Sequence, residues 1–194
     1  MRTAAGRTTR APLGVLAQRE VDLRSVGAAP VLGRIGAGGL ETLADVADTY
    51  GRGKIRLTPW RSFLVPNVPA GTARDAVGVL ARAGLVCDAD DPLSRLIACA
   101  GCTGCASGKA DVKADARRLA DLIGSSADRA SIHLSGCGKS CAVPGTADVT
   151  LVAISDGAYD LYRRDPGASG RFGALLARGI GLYEAAQRIA GAGR

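Results

Sequence analysis

Five of the six cysteines in this 194-residue chain lie between Cys99 and Cys141. Cys99, Cys102 and Cys105 share the segment CAGCTGC, and Cys137 and Cys141 share GCGKSC. The residues between the groups, about thirty of them, read as one helix and one strand. Thiols so placed point to metal or redox chemistry. A cubane iron–sulfur cluster takes four thiolates around one small volume, which two short loops can supply as two plus two. Cys99-x5-Cys105 with Cys137-x3-Cys141 meets that demand. Small residues at Ala98, Ala100, Gly101, Gly104, Ala106, Gly136 and Gly138 let the backbone wrap closely and turn amides toward sulfur.

Three other readings compete on spacing alone. A disulfide pair is disfavoured, because no secretion signal opens the chain and a reducing, cytoplasmic compartment keeps thiols free. Structural zinc is the serious rival, since Cys99-x2-Cys102 with Cys137-x3-Cys141 has zinc-like spacing. Buried, chemically inert cysteines are the third. Cys87, outside the window, reads as a small buried residue. His133 is the sole histidine, and alternation places it opposite Ile132 and Leu134, in a structural or exposed role rather than as a ligand.

The rest of the chain predicts an α+β protein of one or two domains. Residues 11–35 suggest short strands, notably Val21-Asp22-Leu23 and Pro30 to Ile35. Leu40, Leu43, Val46, Ala47 and Tyr50 make an amphipathic helix ended by Gly51 and Gly53. Lys54 to Thr58 alternates as a half-buried strand, which Pro59 interrupts, Phe63-Leu64-Val65 resumes, and Pro66 and Pro69 close. A second helix opens at Thr72, with Asp75 as a weak capping box, and ends at Gly84. Strand, helix, strand, helix over this span predicts a ferredoxin-like half-domain with both helices on one face of the sheet.

Asp88 to Pro92 is an acidic turn and the expected boundary. Leu96-Ile97-Ala98 then forms a short strand delivering Cys99. The helix after the first cysteine loop should bury Val112, Ala116, Leu119, Leu122 and Ile123, with Lys113, Arg117, Arg118 and Asp121 mostly outside. Ile132 to Leu134 is a strand entering the second loop. Val149 to Ile154 reads as a central strand paired with Tyr159 to Tyr162 across a turn at Asp156-Gly157. Phe172 to Ala190 is expected to be one last helix, using Leu175, Leu176, Ile180, Tyr183, Ala186 and Ile189 to cover the sheet.

Composition excludes several functions. The net charge is +7, but three arginines fall in the first ten residues, MRTAAGRTTR. That end is expected to be disordered over 1–11; the other readings are a targeting peptide, a basic arm or a misassigned start. The remaining charge is too diffuse for nucleic acid, and one Trp with two Phe provides no stacking platform for bases. No apolar run approaches the roughly 18 residues of a membrane span.

Three segments carry a resemblance: RLTPWRSFLVPNV at 56–68, CAGCTGCASGKADVKADARRLADLI at 99–123 and IHLSGCGKSCAVPG at 132–145. C-x5-C, a helical spacer and C-x3-C resemble the cluster-binding half of the sulfite and nitrite reductase superfamily. The three segments together most resemble its precorrin-3B synthase branch, in aerobic cobalamin biosynthesis. The likeness runs from about Pro12 to about Ala190 and covers the second half of a full-length member.

It implies a ferredoxin-like half-domain at 12–87 and an α/β 4Fe–4S domain of the sulfite/nitrite reductase type at 92–190. It also implies Cys99, Cys105, Cys137 and Cys141 as ligands of a 4Fe–4S cluster, with Cys141 bridging to sirohaem iron in the reductases. Cys102 departs from the family pattern and reads as a spare thiol, though it completes a ferredoxin-like C-x2-C-x2-C run.

The implied activity is that of an oxidoreductase hydroxylating precorrin-3A with dioxygen, with sirohaem or mononuclear non-haem iron as a further cofactor. No catalytic residue can be assigned. The tetrapyrrole substrate is rich in carboxylates, which makes Arg56, Arg61, Lys109, Lys113 and Lys139 candidate contacts. Arg61 in TPWR and Lys139 in GCGKSC lie in family-matching segments; reductases carry TPNQ where TPWR stands. The expected partners are an electron-donor protein or NAD(P)H system and a second copy, or another chain, that supplies the missing half. A sirohaem-dependent reductase fragment and a non-catalytic electron-transfer or zinc-binding module remain the alternatives.

Overall fold

The computed structural model describes residues 11–125, 130–143 and 145–191. The expectation of disorder over 1–11 therefore lies, except for Ala11, outside the described residues. The chain divides into two compact units, Met1–Ser94 and Arg95–Arg194.

In the first unit the strands are β1 (Gly14–Ala17), β2 (Leu23–Pro30), β3 (Arg56–Leu57), β4 (Phe63–Pro69) and β5 (Leu85–Val86). The helices are α1 (Ala37–Tyr50) and α2 (Ala73–Arg82). The sheet order is β1-β2-β4-β3, with β5 also paired to β2, beyond the end of β1. Taken from β2 to β5, this is the β-α-β-β-α-β order of a ferredoxin-like sheet, all antiparallel, with β1 added as a hairpin extension. α1 packs over β4 and α2 over β2 and β5, and the helices touch. Between them and the sheet lie Val26, Ala28, Leu43, Val46, Val65, Val68, Ala76 and Leu80.

Several local expectations change. Val21 is exposed at a turn and strand pairing begins only at Leu23. Pro30 ends β2, and Val31–Gly33 is a 3-10 turn with buried Leu32 at φ 52°, not a strand. Residues 54–65 form two antiparallel strands rather than one interrupted strand, with the TPWRS segment as their connection. Pro66 does not close β4 but sits inside it. Between Arg24↔Val68 and Val26↔Val65, Pro66 and Asn67 together oppose Ser25, a β-bulge that removes the need for a proline N–H. Asn67, at φ 62°, donates its N–H instead to Gln18 Oε1 at 2.8 Å. Thr72 precedes α2 without a side-chain capping bond, because its hydroxyl turns back to donate to the Pro69 carbonyl.

The second unit contains β6 (Leu96–Ala98), α3 (Val112–Ile123), β7 (Ile132–Ser135), β8 (Val149–Ser155), β9 (Ala158–Arg163), β10 (Ala174–Ile180) and α4 (Leu182–Gly191). Its sheet runs β10-β9-β8-β7-β6. β6, β7 and β8 are parallel, and β8, β9 and β10 antiparallel. The β6-α3-β7 crossover places α3 on the sheet beside α4. Leu119, Leu134, Leu151, Leu161 and Ile189 are all buried in this unit.

Here the expected single C-terminal helix is corrected. Leu175, Leu176 and Ile180 lie in β10, and only residues from Leu182 onward are helical. Gly173 at φ 89° and Gly179 at φ 62° take conformations that no right-handed helix uses, and β10 instead completes the sheet edge against β9. The inward face of α3 also differs: Lys113 and Asp115 are buried, whereas Leu122 is exposed.

Candidate metal centre

Parallel pairing of β6 and β7 is what brings the cysteine loops together. Cys99 follows β6 directly, and its N–H donates to the Leu134 carbonyl of β7 at 3.3 Å. Cys137 lies two residues past the end of β7. Both loops therefore leave the carboxyl ends of adjacent parallel strands, the edge where open α/β sheets hold their ligands.

The loops are joined to each other. Gly136 N–H donates to Cys99 Sγ at 3.2 Å, the kind of amide-to-sulfur bond that tunes a cluster. Lys109 N–H donates to the Gly136 carbonyl at 2.8 Å, and Lys139 Nζ donates to Ser107 Oγ at 3.1 Å. Within the first loop, Cys102 N–H reaches the Ala110 carbonyl and Gly108 N–H the Cys105 carbonyl, each at 2.9 Å. This winding depends on missing side chains. A Cβ on Gly108 would lie 2.5 Å from the Cys102 nitrogen, and Gly101 stands at φ 67°. In the second loop the Ser135 hydroxyl donates to the Cys137 carbonyl at 2.7 Å. Ser140, buried at φ 51°, lies 3.5 Å from His133 Nδ1. His133 is itself 1% exposed, packed inside β7.

Cys99 and Cys137 are half-buried, and Cys102, Cys105 and Cys141 are exposed. Among the described residues, no three His, Cys, Asp or Glu side chains converge on one ion position. Thiol donors on two touching glycine-rich loops, with a backbone amide already on one sulfur, fit a 4Fe–4S cluster.

The basic candidates separate by burial. Arg56 is exposed on β3, Lys109 and Lys139 are exposed on the cysteine loops, and Lys113 is only 9% exposed. Arg61 is exposed at φ 58° in the β3–β4 connection. That connection is held by Thr58 Oγ1, which lies 2.7 Å from Ser62 Oγ and accepts from the Trp60 and Ser62 amides. Arg61 thus belongs to the first unit and Lys139 to the second. Sequence reasoning missed two residues that hold the cysteine-bearing unit. Asp111 caps α3 by accepting from the Lys113 and Ala114 amides at 3.2 Å. Lys113, read as an outward charge, sends Nζ to the Ala98 carbonyl at 3.3 Å. Asp-x-x at the head of an apolar helix was a legible signal for the first; nothing in the residue pattern marked the second.

Residues 16–83 match the nitrite/sulfite reductase ferredoxin-like half domain. The chain belongs to the nitrite and sulfite reductase superfamily. Within that superfamily it is 32% identical over 157 residues to a precorrin-3B synthase from Sinorhizobium sp, covering 80% of this chain and 34% of that protein. It is 33% identical over 138 residues to the assimilatory ferredoxin-dependent nitrite reductase of Haloferax mediterranei, covering 66% and 23%. The chain thus spans about a third of the first relative and about a quarter of the second. The structure of Mycobacterium tuberculosis NirA protein superposes with a TM-score of 0.78 over 95% of this chain and 37% of its own, at 23% identity, a likeness of fold. Among the described residues no helix is long and apolar enough to cross a membrane.

Proposed function

We propose that this chain holds a 4Fe–4S cluster on Cys99, Cys105, Cys137 and Cys141 and acts as the electron-transferring part of a precorrin-3B synthase-like oxidoreductase. The observation that carries the reading is the apposition of the two cysteine loops at the ends of β6 and β7, locked by the Gly136 amide on Cys99 Sγ. When bound, such a cluster supplies single electrons at a potential set by burial and by amides on its sulfurs.

The substrate step is the hydroxylation of precorrin-3A. One oxygen atom of dioxygen enters the substrate C–H bond, and the other leaves as water with two electrons and two protons drawn from a donor protein or an NAD(P)H system. Arg61 and Lys139 are the proposed contacts for substrate carboxylates. Because the chain spans about a third of the precorrin-3B synthase relative, the full site is proposed to need a second copy or another chain, and a further haem or non-haem iron.

Similar identity to a nitrite reductase favours one second reading, a sirohaem-dependent reductase component. Iron and sulfide analysis with a visible spectrum on anaerobically purified protein tests both. Four iron and four sulfide per chain with a broad brown band support the cluster. An added sirohaem band supports the second reading, and zinc without sulfide would sink both.

A further inference from the structure

Strand β3 closes one end of the sheet order β1-β2-β4-β3 and pairs with β4 alone. Among the described residues no strand lies beyond it, so the backbone groups along its outer side have no ladder partner. Every residue from 52 to 57 is exposed. Leu57 stands opposite Phe63, which packs against the core, and so takes the face of the sheet that carries the helices, yet it is 79% exposed. Ile55, two residues earlier, is exposed as well. Arg56 stands opposite Leu64 and takes the other face, and Lys54 precedes it by two. Cation and aliphatic thus alternate along this edge at the period of a strand.

Charge decides what can cover it. No Asp or Glu occurs between Asp48 and Asp75, a stretch that holds Arg52, Lys54, Arg56, Arg61 and Arg74. Asp48 sits at the Gly53 end, its Oδ1 3.0 Å from where a Gly53 Cβ would stand. Lys54 and Arg56 enter no ion pair among the described residues. A second copy laid edge to edge would set cation against cation, which is destabilising across a strand pair. A nucleic acid would meet the charges but neither the open backbone groups nor Leu57. A strand of another protein that alternates acidic and apolar residues meets all three.

We propose that β3 is a docking edge for an extended acidic segment of another protein. The segment adds as a strand, its carboxylates against Lys54 and Arg56 and its apolar side chains over Ile55 and Leu57. The edge belongs to the first unit and the loop cysteines to the second, so docking does not require the cluster.

Fluorescence anisotropy of a labelled synthetic peptide alternating Glu and Val, titrated with the full chain, tests this, with hydrogen exchange as a further readout. The peptide should bind, weaken as salt rises, and protect the amides of 54–58. Lys54→Glu combined with Arg56→Glu should weaken binding roughly tenfold. Leu57→Thr, which keeps a strand-forming residue, should weaken it by a similar factor. These positions are exposed, so the variants keep the fold. A peptide alternating Lys and Val, which should not bind, makes the same test on unaltered protein. Absence of binding by the Glu and Val peptide overturns the proposal. Equal binding of a peptide with the same residues segregated into blocks, or of a single-stranded oligonucleotide, overturns it too, since either reports charge attraction alone. A dimer in sedimentation that protects 54–58 without peptide also overturns it, in favour of a second copy.

Discussion

Cys87 and the loop cysteines share one side chain in two electrostatic settings. Cys87 is 9% exposed and burial pushes its thiol up to about 11, so thiolate is scarce at neutral pH. In cluster-free, reduced protein, iodoacetamide followed by peptide mapping should modify Cys102, Cys105 and Cys141 rapidly and Cys87 only after denaturation. With the cluster loaded, Cys99, Cys105, Cys137 or Cys141 to Ser should each lower iron and sulfide content, whereas Cys102→Ser should leave both unchanged. The inertness of Cys87 was legible from its isolation among Leu85, Val86 and the acidic turn. The pairing of Tyr159 with Asp115 was not, because the two residues are distant in sequence and meet only when α3 packs on the sheet to which β9 belongs. Burial, together with the Asp115 carboxylate, raises the Tyr159 hydroxyl well above the ordinary tyrosine range. Tyr159→Phe leaves a buried carboxylate supported by the mostly exposed Arg118, and should cost about 1–3 kcal/mol in urea unfolding.

At the scale of elements, α3 and the β7–β8 connection fix where the cysteine loops can go. Asp111→Ala removes the acceptor for two first-turn amides and should destabilise the second unit by about 0.5–2 kcal/mol, read by denaturant unfolding. Asp148 ties the start of β8 to Ser131 before β7. Burial pushes its carboxyl up, but the Ser131 amide and hydroxyl and the Arg164 guanidinium outweigh it and hold it below 3.8. The unfolded chain therefore binds the proton more readily. The stabilisation is full above about pH 3.8 and is lost as pH falls through the lower folded value. Asp148→Asn should flatten the acid limb of a stability-against-pH curve. Helices α1, α2 and α3 were readable from their periodicity. β10 was read as helix because Leu175, Leu176 and Ile180 also fit helical spacing, and only the backbone at Gly173 and Gly179 decides against it. Pro66 read as a stop because a bulge that excuses a proline depends on the partner strand.

For the whole molecule, the division at Ser94 puts all five loop cysteines in the second unit. Metal binding that couples to folding should then act on one unit alone. Stripping iron with a chelator should lower hydrogen-exchange protection in 95–143 while α1 and α2 keep theirs. By itself, the sequence determined the local elements with strong periodicity and the grouping of five cysteines into two short segments, because these depend on residue type and short spacing. Only the tertiary structure decided that the two cysteine loops lie edge to edge, that Lys113 turns inward to the Ala98 carbonyl, and that the C-terminal apolar run is a strand and then a helix. The physical reason is that parallel strand pairing, burial and left-handed glycine geometry arise between residues far apart in the chain, where no local pattern records them.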